Sequence, residues 1–258
     1  MSLLATFDWK TRSKAATVHL VICGIVVSLA AALVFLIWFP YPYRALSGGQ
    51  SLFLLVVSVD LVLGPVLTWI VFDKRKPRAE LVRDLAVVGL LQLSALGYGL
   101  WSVYQARPVY LVHEVDRFVV VSAADVDPVD LPLATPNFQS LPFAGVATIG
   151  LRPHRDAGER LKSLELALAG KGQPVRPEYW QPLSAANRDM MRARAQTVRA
   201  LMDRSPEDRM LLQEWLRQNE RAEDQLLVLP VESRSLFWAA LLDVKTLAIV
   251  GYVPIDPF

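Results

Sequence analysis

The stretch SVDLVLGPVLTWIVF (58–72) is apolar enough to cross a membrane, yet it keeps a carboxylate, Asp60, and a helix-disturbing pair, Gly64 and Pro65, near its middle. It belongs to a longer apolar run, Ser51 to Phe72, and two comparable runs flank it, Thr17 to Phe39 and Leu85 to Tyr104. At about 1.5 Å of rise per residue, runs of roughly 20 residues match a hydrocarbon core of about 30 Å. The sequence therefore predicts three transmembrane helices, at about 17–39, 51–72 and 83–104. The first run outlasts a signal-peptide core and ends in FLIWFPYPYR instead of a small-residue cleavage site, so it is expected to be retained. The single cysteine, Cys23, lies inside it and excludes a disulfide framework within one chain.

Charge sets the expected topology. Lys10, Arg12 and Lys14 precede the first run, and Lys74, Arg75, Lys76, Arg78 and Arg83 lie between the second and third, whereas the intervening loop holds only Arg44. The positive-inside rule then predicts a cytoplasmic N-terminus and, after three crossings, a C-terminal domain on the opposite face, the periplasm in a bacterium. Residues 105–258 carry 18 Lys or Arg against 20 Asp or Glu, so no concentrated basic face supports nucleic-acid binding.

Two domains are expected, 1–104 in the lipid bilayer and 105–258 outside it. In the second, VYLVH (109–113) and RFVVVSA (117–123) read as a hairpin. Pro128, Pro132, Pro136 and Pro142 mark a largely irregular segment. Asp156, Ser184 and Ser205 are candidate N-caps of three helices: AGERLKSLELALAG, AANRDMMRARAQTVRALMD and PEDRMLLQEWLRQNERAED. In the last, Met210, Leu211, Trp215 and Leu216 form the predicted apolar face. QLLVLPVE, SLFWAALL and TLAIVGYV close the chain as strands. The expected fold class is three N-terminal transmembrane α-helices followed by an α+β periplasmic domain with a mainly antiparallel sheet.

Chemistry-bearing patterns are sparse. There is no phosphate-binding glycine loop, no dinucleotide fingerprint and no nucleophile elbow. His19, His113 and His154 are too far apart for a spaced metal motif, and the Asp125, Asp127 and Asp130 cluster has prolines where a calcium loop needs glycine, so no cofactor or metal is expected. The ionisable group in the second run is the exception. A carboxyl near mid-depth is expected to face protein or water and to have a partner. Gln92 of the third run lies at a comparable level and is the predicted hydrogen-bond partner of Asp60. Two readings stay open: polar adhesion inside the bundle, with Gly64 allowing close approach, or a notch at Asp60, Gly64 and Pro65 left available to a helix of another protein.

Several segments together resemble the TfpX/TfpZ family of type IV pilin accessory proteins: GGQSLFLLVVSVDLVLGPVLTWIVF, LQLSALGYGLW, ARPVY, DRFVVVSAADVD and VGYVPIDPF. The resemblance marks Arg107, Pro108 and Tyr110, then Asp116, Arg117 and Phe118, in the outer domain, and leaves 155–224 unmatched. It implies a multi-pass protein of the bacterial inner membrane without enzymatic activity, whose partners are a type IV major pilin and other pilus-assembly components. Its role would be to support the pilin's stability, level or assembly by shielding its membrane helix and contacting its periplasmic head. The competing expectation is a membrane-tethered binding or sensory module unconnected with pilin.

Overall fold

The structure, a computed structural model, describes residues 8–234 and 236–258. The helices in chain order are α1 (Trp9–Ala32), α2 (Tyr43–Leu46), α3 (Gly49–Val71), α4 (Arg78–Gln105), α5 (Ala157–Leu168), α6 (Ala185–Arg194), α7 (Val198–Met202) and α8 (Pro206–Gln218). The strands are β1 (Pro108–Glu114), β2 (Arg117–Ser122), β3 (Ala147–Leu151), β4 (Trp180–Gln181), β5 (Gln196–Thr197), β6 (Leu226–Glu232), β7 (Phe237–Asp243) and β8 (Ile249–Val253). They divide into two compact units: residues 1–38 with 48–105, and residues 39–47 with 106–258.

In the first unit, α1 with its continuation to Trp38, α3 and α4 are long and apolar enough to cross a membrane. α3 lies between the other two, because its inward residues recur at helical spacing: Phe53, Val57, Asp60, Gly64 and Thr68 are buried. Its outward leucines stay exposed, Leu55 at 67%, as suits side chains whose solvent is lipid. Small residues let the helices close up. A Cβ on Gly99 of α4 would lie 2.3 Å from Val56 of α3. The last turn of the first span widens into a π-helix, Leu33–Trp38, where Phe35 meets Phe53 and Trp38 meets Tyr104, each edge-on at 5.1 Å. At the other end, the Arg12 guanidinium donates to the carbonyls of Trp69 and Ile70 and to Asp73. A cation there satisfies the free carbonyls of α3 and opposes the negative end of its dipole.

The second unit is a sheet covered on both faces. Strand order is β4-β3-β1-β2-β6-β7-β8, with β5 paired beside β6. β1/β3 and β2/β6 are parallel and the remaining pairings antiparallel. The predicted hairpin turns at Val115, whose φ of 56° is left-handed. Leu111 faces one core, with Phe118, Leu229, Ala240 and Met191. Its neighbours Tyr110 and Val112 face another, with Ile149, Phe138 and Trp180. Alternation with both faces buried is why this strand is apolar throughout.

Four departures from the sequence expectation have physical causes. Residues 39–47 are built into this unit: α2 places Tyr43 and Leu46 in the core, and the Tyr43 hydroxyl meets that of Tyr252 at 3.3 Å. The helix expected from 185 to 203 breaks. Met191 packs on one side of β6 with Leu229, whereas Val198, Leu201 and Met202 pack on the other with Val228. One straight helix cannot serve both faces, so Gln196 and Thr197 cross as β5 and Thr197 caps a new start. α8 stops at Gln218 and buries Leu212, with Trp215 and Leu216 against the core, leaving Met210 64% exposed. Finally β3 goes beyond the predicted strands. It pairs with β1, and its Gly150 is needed because a Cβ there would lie 2.4 Å from Asn187 Oδ1.

Candidate functional site

The polar residues of the first unit converge on one side of the bundle. Gln92, on α4, reaches across to α3, where its Nε2 donates to the backbone carbonyl of Asp60 at 3.2 Å and to Cys23 Sγ of α1 at 3.7 Å. Donation to two acceptors fixes the amide's orientation. The predicted Asp60–Gln92 contact therefore exists, but it engages the main chain of Asp60. Among the described residues, the Asp60 carboxyl has no hydrogen-bonding partner, and Gln92 Oε1 is buried without one.

Gly64 is where Gln92 fits. A Cβ on Gly64 would lie 2.0 Å from Gln92 Nε2 and 2.6 Å from its Cδ. The space that Gly64 leaves is occupied by Gln92 of the same chain. Pro65 lies inside α3, half-buried, and the helix continues through it.

Asp60 opens elsewhere. It lines a cavity of about 210 Å³ between α1 and α4, with His19, Cys23, Val26, Gln92 and Leu96 around it. A second cavity, about 560 Å³, shares His19, Ile22 and Gly89 with the first and extends to Lys14 and Lys74. The two form one groove, with apolar side chains as its walls. The His19 ring holds the Thr68 hydroxyl of α3 by Nδ1, so its floor is polar at two levels. His19, Cys23 and Val26 recur at i, i+4 and i+7, and Gly89, Gln92 and Leu96 at i, i+3 and i+7. Those spacings carry the sequence signal for a common face, which the more conspicuous Gly64–Pro65 pair overshadows.

The outer-domain residues singled out by resemblance hold the sheet together. Arg107 is buried and donates through Nε and Nη2 to the carbonyl of Pro142. Pro108 opens β1. Tyr110 meets Trp180 at a tilt, ring centroids 4.8 Å apart, and Phe118 is in the core beside His113. Arg117 bonds Asp116 and Glu232 and lies over the Phe258 ring at 4.5 Å, joining the hairpin to the closing segment. His113 is 1% exposed, and neither ring nitrogen has a partner among the described residues. Burial holds its pKa down to about 4, so it is a neutral core residue. Asp125 bonds the Ser122 amide and Arg234. Among the described residues no group of three His, Cys, Asp or Glu side chains is arranged to hold a metal.

Residues 7–48 match the family described as Fimbrial assembly protein FimB. Two relatives from Dichelobacter nodosus, the fimbrial assembly proteins of serogroup I and serogroup E1, are each 30% identical over 95% of this chain and 96% of their own length. A third, from serogroups C1 and C2, is 35% identical over 47% of this chain and 93% of its own. No solved structure matches the chain.

Proposed function

The chain belongs to the fimbrial assembly protein family, and on that premise we propose that it is a non-enzymatic accessory protein supporting a cognate type IV pilin. In this reading it sits in the bacterial inner membrane with its N-terminus in the cytoplasm and the sheet domain in the periplasm. The membrane unit shields the pilin's membrane helix, and the sheet domain contacts the pilin's head. The observation that carries the proposal is the similarity to fimbrial assembly proteins along nearly the whole chain. The likeness to TfpX/TfpZ proteins supports the same role, and the basic loop at Lys74, Arg75 and Lys76 supports the orientation, since it favours the cytoplasmic side.

The test compares major pilin in isolated inner membranes and on the cell surface, with and without this protein. Loss of membrane pilin at constant transcript supports protection of the subunit. Unchanged membrane pilin with loss of surface pili supports a later assembly role. If neither changes, the pilin role is refuted and a tethered binding module takes its place.

A further inference from the structure

We propose that the groove between α1 and α4 seats one apolar transmembrane helix of another polypeptide, which places a neutral hydrogen-bonding side chain against Asp60. The inference deepens the pilin role and rests on it: that role supplies the helix's owner, and the groove supplies its chemistry.

Length comes first. Along α1 the groove is lined from Thr11 to Val27, about 24 Å at the helical rise, which is most of a hydrocarbon core of about 30 Å. A site for a small molecule would be closed and local; this one runs with the bundle axis. α3 forms the floor and the two outer helices the walls, so the groove has the shape left when a fourth helix is taken from a bundle.

Polarity comes second. Asp60 is equidistant from the ends of Gly49–Val71 and so lies at mid-depth. Its carboxyl is without a hydrogen-bonding partner among the described residues, and the buried Oε1 of Gln92 likewise lacks one. A neutral carboxyl offers an O–H donor as well as an acceptor oxygen, and acyl chains can satisfy neither. Unsatisfied polar groups in hydrocarbon are costly, so the occupant must present a polar side chain where lipid cannot. A cation is not required, because a bonded neutral group avoids the cost of burying charge. The complementary surface is therefore an apolar helix with one polar side chain half-way along it.

Site-specific photocrosslinking in cells that make the cognate pilin tests this. The probe residue is placed at Leu93, a groove wall that is 66% exposed, or at Leu55, which is 67% exposed on the other side of α3. The expected result is a pilin adduct from 93 and little from 55. Asp60→Asn keeps an acceptor and should retain the adduct, whereas Asp60→Leu should lower it about three- to tenfold at equal membrane levels of the variant.

Pilin adducts from 55 but not 93, with pilin still co-purifying, overturn the groove and leave the pilin role standing. A dimer of this chain from 93 makes the groove a self-interface and overturns the proposal. An unchanged adduct in Asp60→Leu overturns the polar contact. If pilin neither crosslinks nor co-purifies, the role beneath the proposal fails with it.

Discussion

Replacing Gly64 with alanine tests the packing that underlies the membrane unit. The new methyl would stand 2.0 Å from Gln92 Nε2, well inside contact distance, so the amide must swing away. It then gives up its bonds to the Asp60 carbonyl and Cys23 Sγ. Overpacking of this kind costs about 1–3 kcal/mol, and a hydrogen bond between membrane helices contributes roughly 0.6 kcal/mol. With alanine the better helix former by roughly 1 kcal/mol, Gly64→Ala should therefore destabilise the bundle by a net of about 1–3 kcal/mol. Gln92→Ala alone should cost about 1 kcal/mol for the lost bonds and contacts. In the Gln92→Ala background the clash disappears, and adding Gly64→Ala should be neutral or stabilising. The double-mutant cycle then shows a coupling of about 1–3 kcal/mol. Cys23 is the chain's single cysteine and lies at this packing layer. Its alkylation across an SDS titration in mixed micelles therefore reports opening here and nowhere else. Costs that add to within about 0.5 kcal/mol would refute the claim that Gly64 exists to admit Gln92.

Three further outcomes are expected. His113 is buried neutral, with its pKa held down to about 4 from the ordinary 6.5 by desolvation. The unfolded chain takes up its proton below about pH 6.5 and the fold only near pH 4, so this contribution is complete above that window. It is lost as pH falls through it, by up to about 3 kcal/mol. His113→Phe should flatten that dependence of the urea midpoint without loss near neutral pH, and an unchanged slope would contradict it. Arg12→Ala should destabilise the membrane unit by about 1.5–3 kcal/mol by uncovering the α3 carbonyls; Arg12→Lys, lacking the fork, should recover only part of it, read by the same Cys23 alkylation. Tyr43→Phe should lower stability by about 1 kcal/mol through the lost hydroxyl pair. Leu46→Ala should lower it by about 2–5 kcal/mol. Near-zero values for both in thermal unfolding would place residues 39–47 outside the core.

What was legible in the sequence follows from how local each signal is. The spans are long and uniform, and the hairpin 109–123 has its turn inside its own stretch. Asp156, Ser184 and Ser205 each accept from an amide three residues on, a bond written entirely within four residues. The errors lie where a distant partner decides. Nothing near Gln196 states that β6 will be beside it, and the helical pattern of 185–203 continues across the break. The bond from Gln92 was foreseeable, but its acceptor depended on Gly64 drawing the amide onto the backbone. Residues 39–47 read as the end of the first span and a loop of the 1–104 domain because their partners, Phe118, Leu229 and Tyr252, are far along the chain.

The two irregularities of 58–72 serve different ends. Gly64 removes a side chain so that α4 can approach and Gln92 can lie against α3; that is a requirement of the bundle itself. Asp60 has no such use, since Gln92 bonds its backbone carbonyl, which any residue would supply. An Asn, Ser or Leu at position 60 would leave that bond intact and spare the bundle a carboxyl at mid-depth. A side chain that costs the isolated protein stability and faces an open groove contributes only when something fills the groove. Gly64→Ala should therefore disturb the bundle whether or not a partner is present. Asp60→Leu should leave the bundle unharmed, or more stable, and register only in capture of the partner helix.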